Sequence, residues 1–317
     1  MNAEVNTVPG AEPAAVAVAL NAATRPFYWS VRRELWEHRA LYIAPLVPAG
    51  IMLLFVILGA LNIANGMHFG APVSPEQQRG MLGGILSMLA GLVAVVACVT
   101  GFFYCLDALH GERRDRSILF WKSLPVSDLT SVLAKLSIPA VAIPAIVFSI
   151  VVATGLVILL IATLLVFVNG SNPAAMWSLP RLFHMTIMLL YILVALALWL
   201  APIYGWLLLV SAWARRSTFL WAVMPPLAVI LVEKLAFGTG YFALLLRDRL
   251  AGGFAQALAI DPNPAVDYAM SSHFPRQFTR VMDPGNFLAS PALWIGLAVA
   301  AAFIAAAVWM RRYREPL

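Results

Sequence analysis

Six long apolar runs, separated by shorter polar stretches, organise the chain. They fall at about 41–64, 81–106, 136–168, 185–214, 218–235 and 291–309. Each is close to or beyond the roughly 20 residues that carry a helix across a bilayer. None alternates apolar and polar positions as the strands of an outer-membrane barrel do. The pattern predicts an all-α polytopic membrane protein with six transmembrane helices. The third run is too long for an untilted helix. Either Pro139 and Pro144 kink it near its start, or its first turns lie in the interface.

The stretch PFYWSVRRELWEHR (26–39) has a different pattern. Phe27, Val31, Leu35 and Trp36 recur at near-helical spacing, with Arg32, Arg33, Glu37 and Arg39 between them. This predicts an N-terminal interfacial helix, with Trp29 and Trp36 at the depth that indoles favour. A simple anchor for the first span explains it as well. Residues 1–24 read as a loose cytoplasmic tail. No Lys or Arg precedes their apolar stretch, as a secretory signal would require. The remainder, 25–317, reads as one membrane domain. Its longest non-spanning part, 235–290, mixes the apolar LAFGTGYFALLL with Pro-rich polar sequence. It predicts a long extracytoplasmic loop before the last span. LAFGTGYFALLL either dips back into the membrane, turning at Gly238–Thr239–Gly240, or continues the fifth helix.

Composition narrows the class further. Apolar residues make up 62% of the 317 residues and charged residues 11%. Soluble domains carry roughly 45–50% and about 25%, so a soluble globule could not cover its surface. Disordered chains are poor in aliphatic and aromatic residues, so disorder is excluded too. The net charge of +6 reads as topology, because cytoplasmic loops collect Lys and Arg. With both termini inside, the inner segments hold fourteen of the 21 basic residues, among them Arg32, Arg33, Arg113, Arg114, Lys135, Arg215, Arg216, Arg311 and Arg312. Seven lie outside, and only Arg79 and Arg181 of these sit in short loops. The prediction is N-in and C-in, in the cytoplasmic (inner) membrane. Cys98 and Cys105 are about 10 Å apart by helical rise, too far for an intrahelical disulfide, and read as packing residues.

No catalytic constellation is present in the sequence. HExxH, GxSxG and the phosphate-binding GxxxxGK[ST] are all absent, so neither a metal site nor a Walker loop is expected in this chain. The five histidines are scattered at span ends. Two features stand out. The first is the segment 107–128 between the second and third spans. There Glu112, Arg113, Arg114, Asp115 and Arg116 lead directly into Ile118, Leu119, Phe120 and Trp121. The turn Leu124–Pro125–Val126–Ser127–Asp128 follows, with Ser127 or Asp128 placed to cap the third helix. A short helix flat on the membrane surface fits, its charged side toward headgroups or a soluble partner and its aromatic side toward a groove. An ordinary basic loop fits as well. The second is Glu233–Lys234, about 23 Å along the fifth helix from its start. One reading places Glu233 on a pathway or outer gate. The other places both residues at the headgroup boundary, snorkelling.

The segment 112–127 resembles the membrane permease subunit of ABC-2-type ABC transporters. The matching residues are Glu112, Arg113, Ser117, Leu119, Leu124, Pro125, Val126 and Ser127; Arg116–Ser117 stands where many relatives carry Gly-Thr. The 26–39 stretch is similar to that family's elbow helix, and the layout of six spans with a long outer loop is similar too. The resemblance implies a half-transporter, the permease subunit of an ATP-driven exporter. Two such subunits, identical or paralogous, would enclose the path. A separate ATP-binding subunit would dock on Glu112, Arg113, Arg114, Arg116, Ser117, Leu119, Phe120, Trp121, Leu124, Pro125 and Ser127. ATP and Mg would then bind in that partner, with no cofactor and no enzyme activity in this chain. Membrane lipid is the other partner, and nucleic acid is not one. An ion-coupled secondary transporter is the alternative from another class, although such carriers hold ionisable residues near mid-span. A non-transporting membrane scaffold is a further one.

Overall fold

The computed structural model describes residues 26–64, 75–115, 126–168, 177–252 and 284–313. All regular structure among these is helical. The N-terminal helix α1 (Pro26–Glu37) leads through His38 and Arg39 into α2 (Ala40–Ala64). There follow α3 (Pro75–Asp107), the five-residue α4 (His110–Arg114) and α5 (Asp128–Ser137). A π-helical turn (Ile138–Ala142) joins α5 to α6 (Ile143–Val168). The chain goes on through α7 (Leu179–Trp199), α8 (Ala201–Trp213), α9 (Thr218–Phe237), α10 (Tyr241–Ala251), α11 (Pro284–Ala289) and α12 (Pro291–Tyr313). Six stretches are long and apolar enough to cross a membrane. They correspond to the six runs expected from the sequence.

Prolines shape these helices in different ways. Pro139 has no N–H to give the Lys135 carbonyl. The chain widens there to a π turn, in which the Ile143 N–H reaches the Ile138 carbonyl. The third span is therefore one continuous helical stretch from Asp128 to Val168, bulged at Pro139, with Pro144 in the first turn of α6. The fourth run departs from expectation. It was expected as one helix over 185–214, but it is two, α7 and α8, meeting at Leu200. Pro202 is the cause: its ring and missing N–H disrupt bonding to the Leu198 carbonyl, and the helix restarts with Pro202 in its first turn. Pro225 and Pro226, by contrast, sit inside an unbroken α9. The second helix also begins earlier than the apolar run, at Pro75, because Glu76, Gln77 and Gln78 continue it into polar sequence.

Packing centres on α8 and α12. Gly205 lets α12 approach so closely that an added Cβ would lie 3.2 Å from the Ala300 carbonyl oxygen. Leu207, Leu208, Val210 and Ala212 of α8 join Leu89, Val93 and Ala97 of α3 and Val147 and Val151 of α6 in one buried core. Cys105 is buried in it and Cys98 half-buried, both as free thiols. The fifth span packs least, with Ala222 its buried residue. Antiparallel succession brings α1, α4, α5, the end of α8 and the end of α12 together at one end of the bundle. This is called the charged end below. The end of α7 and the start of α12, with α10 and α11, gather away from it.

Candidate functional site: a buried ion cluster at the charged end

Among the described residues, the charged end holds five buried charged side chains, Glu34, Glu112, Arg113, Lys135 and Arg311. Lys135, 3% exposed, stands between two carboxylates. Its Nζ donates to Glu34 Oε1 at 2.7 Å and lies 3.2 Å from Glu112 Oε1. Arg311 of α12 extends the chain of charges: its Nη1 donates to Glu112 Oε2 at 2.6 Å and its Nε to Asp128 Oδ1 at 3.1 Å. Arg33 approaches Glu112 Oε1 at 3.7 Å while its Nε bonds Glu37 at 2.7 Å. The other Glu34 oxygen accepts from the buried Tyr104 hydroxyl at 2.8 Å. His38 stacks edge-on against Tyr104 with ring centres 4.9 Å apart. Glu34, Glu112, Lys135 and Arg311 thus each face an opposite charge. The cluster joins α1, α3, α4, α5 and α12, elements up to 199 residues apart in sequence.

Local sequence explains how each member is held. Ser127 is extended and its Oγ accepts the Thr130 N–H at 3.1 Å, so Ser127 rather than Asp128 caps α5. That leaves the Asp128 carboxylate for Arg311. The short α4 is fixed from outside itself. Ser211 Oγ of α8 accepts the N–H groups of Leu109 and His110, at 3.0 and 2.9 Å. The Arg113 guanidinium donates to the Ala212 and Ala214 carbonyls, at the end of α8 where backbone acceptors lack helical donors. With α4 clamped, Glu112 points inward and Arg114 outward, pairing with exposed Asp115 at 3.1 Å.

The opposite end treats its charges differently. Glu233, half-buried, accepts from the Thr239 hydroxyl at 2.9 Å and from the N–H groups of Tyr241 and Phe242, at 2.6 and 2.9 Å. It caps the first turn of α10 across a tight turn in which Gly238 takes φ +66°. LAFGTGYFALLL is thus not a continuation of the fifth helix: α9 ends at Phe237, the chain turns at Gly238–Thr239–Gly240 and α10 begins at Tyr241. No contact of Lys234 with Glu233 is among these bonds. Arg249 of α10 lies 4.3 Å over the Trp199 ring and donates to the Trp199 and Ala292 carbonyls. Burial pulls its guanidinium below the usual arginine range, against the pull of Asp248. The Trp199 indole N–H returns a bond to the Asp248 carbonyl at 3.2 Å.

Of the residues expected from the sequence, Glu112, Arg113, Arg114 and Ser127 lie at the charged end as described. Arg116, Ser117, Leu119, Phe120, Trp121, Leu124 and Pro125 lie outside the described residues, as do residues 1–24 and most of the outer loop. Trp29, Arg32, Arg33 and Trp36 lie on α1, which is helical as expected. Glu34, Tyr104, Lys135 and Arg311 were not singled out from the sequence. One signal was available: Glu34 interrupts the Val31–Leu35 stripe of α1, where an acid would otherwise be out of place. Lys135 and Arg311 counted only toward topology.

The fold and its apolar spans define an all-α, multi-pass membrane protein. No protein-family model, curated protein or solved structure matches this chain. Among the described residues, no group of His, Cys, Asp and Glu is arranged to hold a metal ion.

Proposed function

We propose that this chain is the membrane-spanning permease subunit of an ATP-driven ABC exporter. In this reading it lies in the cytoplasmic (inner) membrane with the charged end and both termini inside. Two six-span units, identical or paralogous, enclose the path, and a separate ATP-binding subunit docks on the segment 107–128. The observation that carries the reading is the fixing of α4. Glu112 and Arg113 tie the start of the proposed docking segment to α1, α5, α8 and α12 at once. A displacement applied to that segment by ATP-driven closure would therefore move several spans together. A buried ion pair adds little net stability over apolar packing of the same volume. A cluster of this size is better explained by the alignment it imposes than by the energy it supplies.

The secondary-carrier alternative gains one feature, the helix break at Leu200, since such carriers use broken helices. It loses on charge placement, because the buried ionisable residues among those described gather at one end and not at mid-span.

The test is purification of the tagged chain from its own membranes in mild detergent, followed by measurement of ATP hydrolysis in the eluate. The expected result is a stoichiometric ATP-hydrolysing subunit. Phe120→Ala with Trp121→Ala should release it, since buried aromatic anchors often cost about 2 kcal/mol or more when truncated. Arg114→Ala alone should weaken it mildly, more at low salt. A chain that elutes without ATPase, or a double variant that retains it, overturns the reading.

A further inference from the structure

The interfacial helix α1 presents two unlike faces. Val31, Glu34 and Leu35 turn toward the bundle, where Glu34 joins the ion cluster. Arg32 stands two residues from Glu34, about 200° round the helix. Its guanidinium lies 4.5 Å over the ring of Trp36 and 5.2 Å over that of Trp29. Both indoles are open to the surroundings, 65% and 53% exposed. A groove of about 350 Å³ opens there, lined by Trp29, Arg32, Arg33, Trp36 and Glu37.

The two neighbouring arginines are used in opposite ways. Arg33 is committed to Glu37 and Glu112. Arg32 makes no ion pair among the described residues, so the groove keeps one uncompensated positive charge. Stacking on the indoles holds the guanidinium plane and leaves its N–H edge free. That edge matches two phosphate oxygens. Position selects the source of the phosphate. Glu37 ends α1 three residues before Ala40 begins α2, the first apolar span. The groove therefore opens within about a helical turn of the level where that span leaves the bilayer, at headgroup depth.

We propose that the Trp29–Arg32–Trp36 groove binds the phosphate of an anionic phospholipid headgroup, with Arg32 as its ligand and the two indoles as its walls. The proposal rests on the membrane placement of α1 and not on the transport reading. The lipid and the ion cluster then grip one helix from opposite sides. A headgroup fixes the outer face of α1 while Glu34 meets Lys135 on the inner face.

The full chain, delipidated in neutral detergent, is titrated with dioleoylphosphatidylglycerol or dioleoylphosphatidylcholine, and bound lipid is counted by native mass spectrometry. Wild type should prefer phosphatidylglycerol by at least about five-fold, the effect of one arginine near an anionic surface. Arg32→Gln should erase that preference. Arg32→Lys, which keeps the charge but not the stacked fork, should retain only part of it. Arg216→Gln, removing an exposed arginine at the same end, should retain all of it. A parallel melt in detergent guards against misfolding: phosphatidylglycerol should raise the midpoint of wild type more than that of Arg32→Gln. Equal binding of the two lipids by wild type overturns the proposal. So does an unchanged preference in Arg32→Gln or Arg32→Lys, or an equal loss in Arg216→Gln.

Discussion

The two ends of the bundle handle charge by different chemistry. At the charged end, four of the five buried charges described are answered by side chains, and only Arg113 turns to backbone carbonyls. Lys135 serves Glu34 and Glu112, and Arg311 serves Glu112 and Asp128. At the other end, backbone answers side chains. Glu233 takes up free N–H groups at the start of α10, and Arg249 takes up carbonyls at the helix break and at the start of α12. The first arrangement is shared, so no member can leave without stranding another in a buried site. The second is a set of separate local caps, each repairing an interruption in the backbone. One end is therefore built to move as a unit and the other to yield piecewise.

The largest expected effect comes from Lys135→Met. It leaves two carboxylates facing each other in a buried site, and breaking a buried pair by removing one partner costs about 3–5 kcal/mol. The melting midpoint in detergent should fall accordingly. Glu34→Gln added to Lys135→Met should restore much of the loss, because Glu112 keeps Arg311. A midpoint unchanged in the single variant would show that the end is held by apolar packing alone. Next comes Tyr104→Phe, which removes one buried hydrogen bond to a charged group, worth about 1.5–3 kcal/mol. The same melt reads it, and a Glu34→Gln background should shrink it if the two residues act through one bond.

At the opposite end, effects should be smaller. Arg249→Gln loses its stack on Trp199, about 1 kcal/mol. Faster amide hydrogen exchange should be confined to α10 and the start of α12. Exchange that accelerates at the charged end as well would break the contrast between a shared and a piecewise end. The smallest effect is expected from Glu233→Gln. It should fray the first turn of α10 and leave the melting midpoint in place. If the proposed exporter function holds, export by this variant sharpens the contrast: normal export at matched abundance would limit Glu233 to a capping role, whereas lost export with ATP hydrolysis retained in the proposed partner would put it on the proposed path.

Much of the fold could be read without coordinates, because the property that selects a membrane span is additive and local. The apolar runs at 41–64 and 291–309 nearly coincide with α2 and α12. Proline was less transparent. Pro139 produces a π turn, Pro202 a break, and Pro225–Pro226 neither. Neighbouring helices decide whether a freed carbonyl finds another partner. The site was legible only in part. Glu112 was singled out by its charged surroundings, but its buried placement is set by clamps from Ser211 and the end of α8, about a hundred residues away. Nothing near Lys135 in the chain distinguishes it from a residue that merely marks the cytoplasmic side.

By itself, then, the sequence determined that this is a helical membrane protein, how many times its chain is apolar for long enough to cross, and where an amphipathic helix precedes the first span. These follow from sums over neighbouring residues, and water and lipid sort such sums without regard to tertiary detail. Only the tertiary structure decided which charges are buried and with whom. Glu34 meets Lys135 across 101 residues and Glu112 meets Arg311 across 199. A charge buried in a helical bundle must find an opposite charge or hydrogen-bond partners that offset its desolvation. That condition relates distant positions to one another, and it is met only once α1, α4, α5 and α12 have come together.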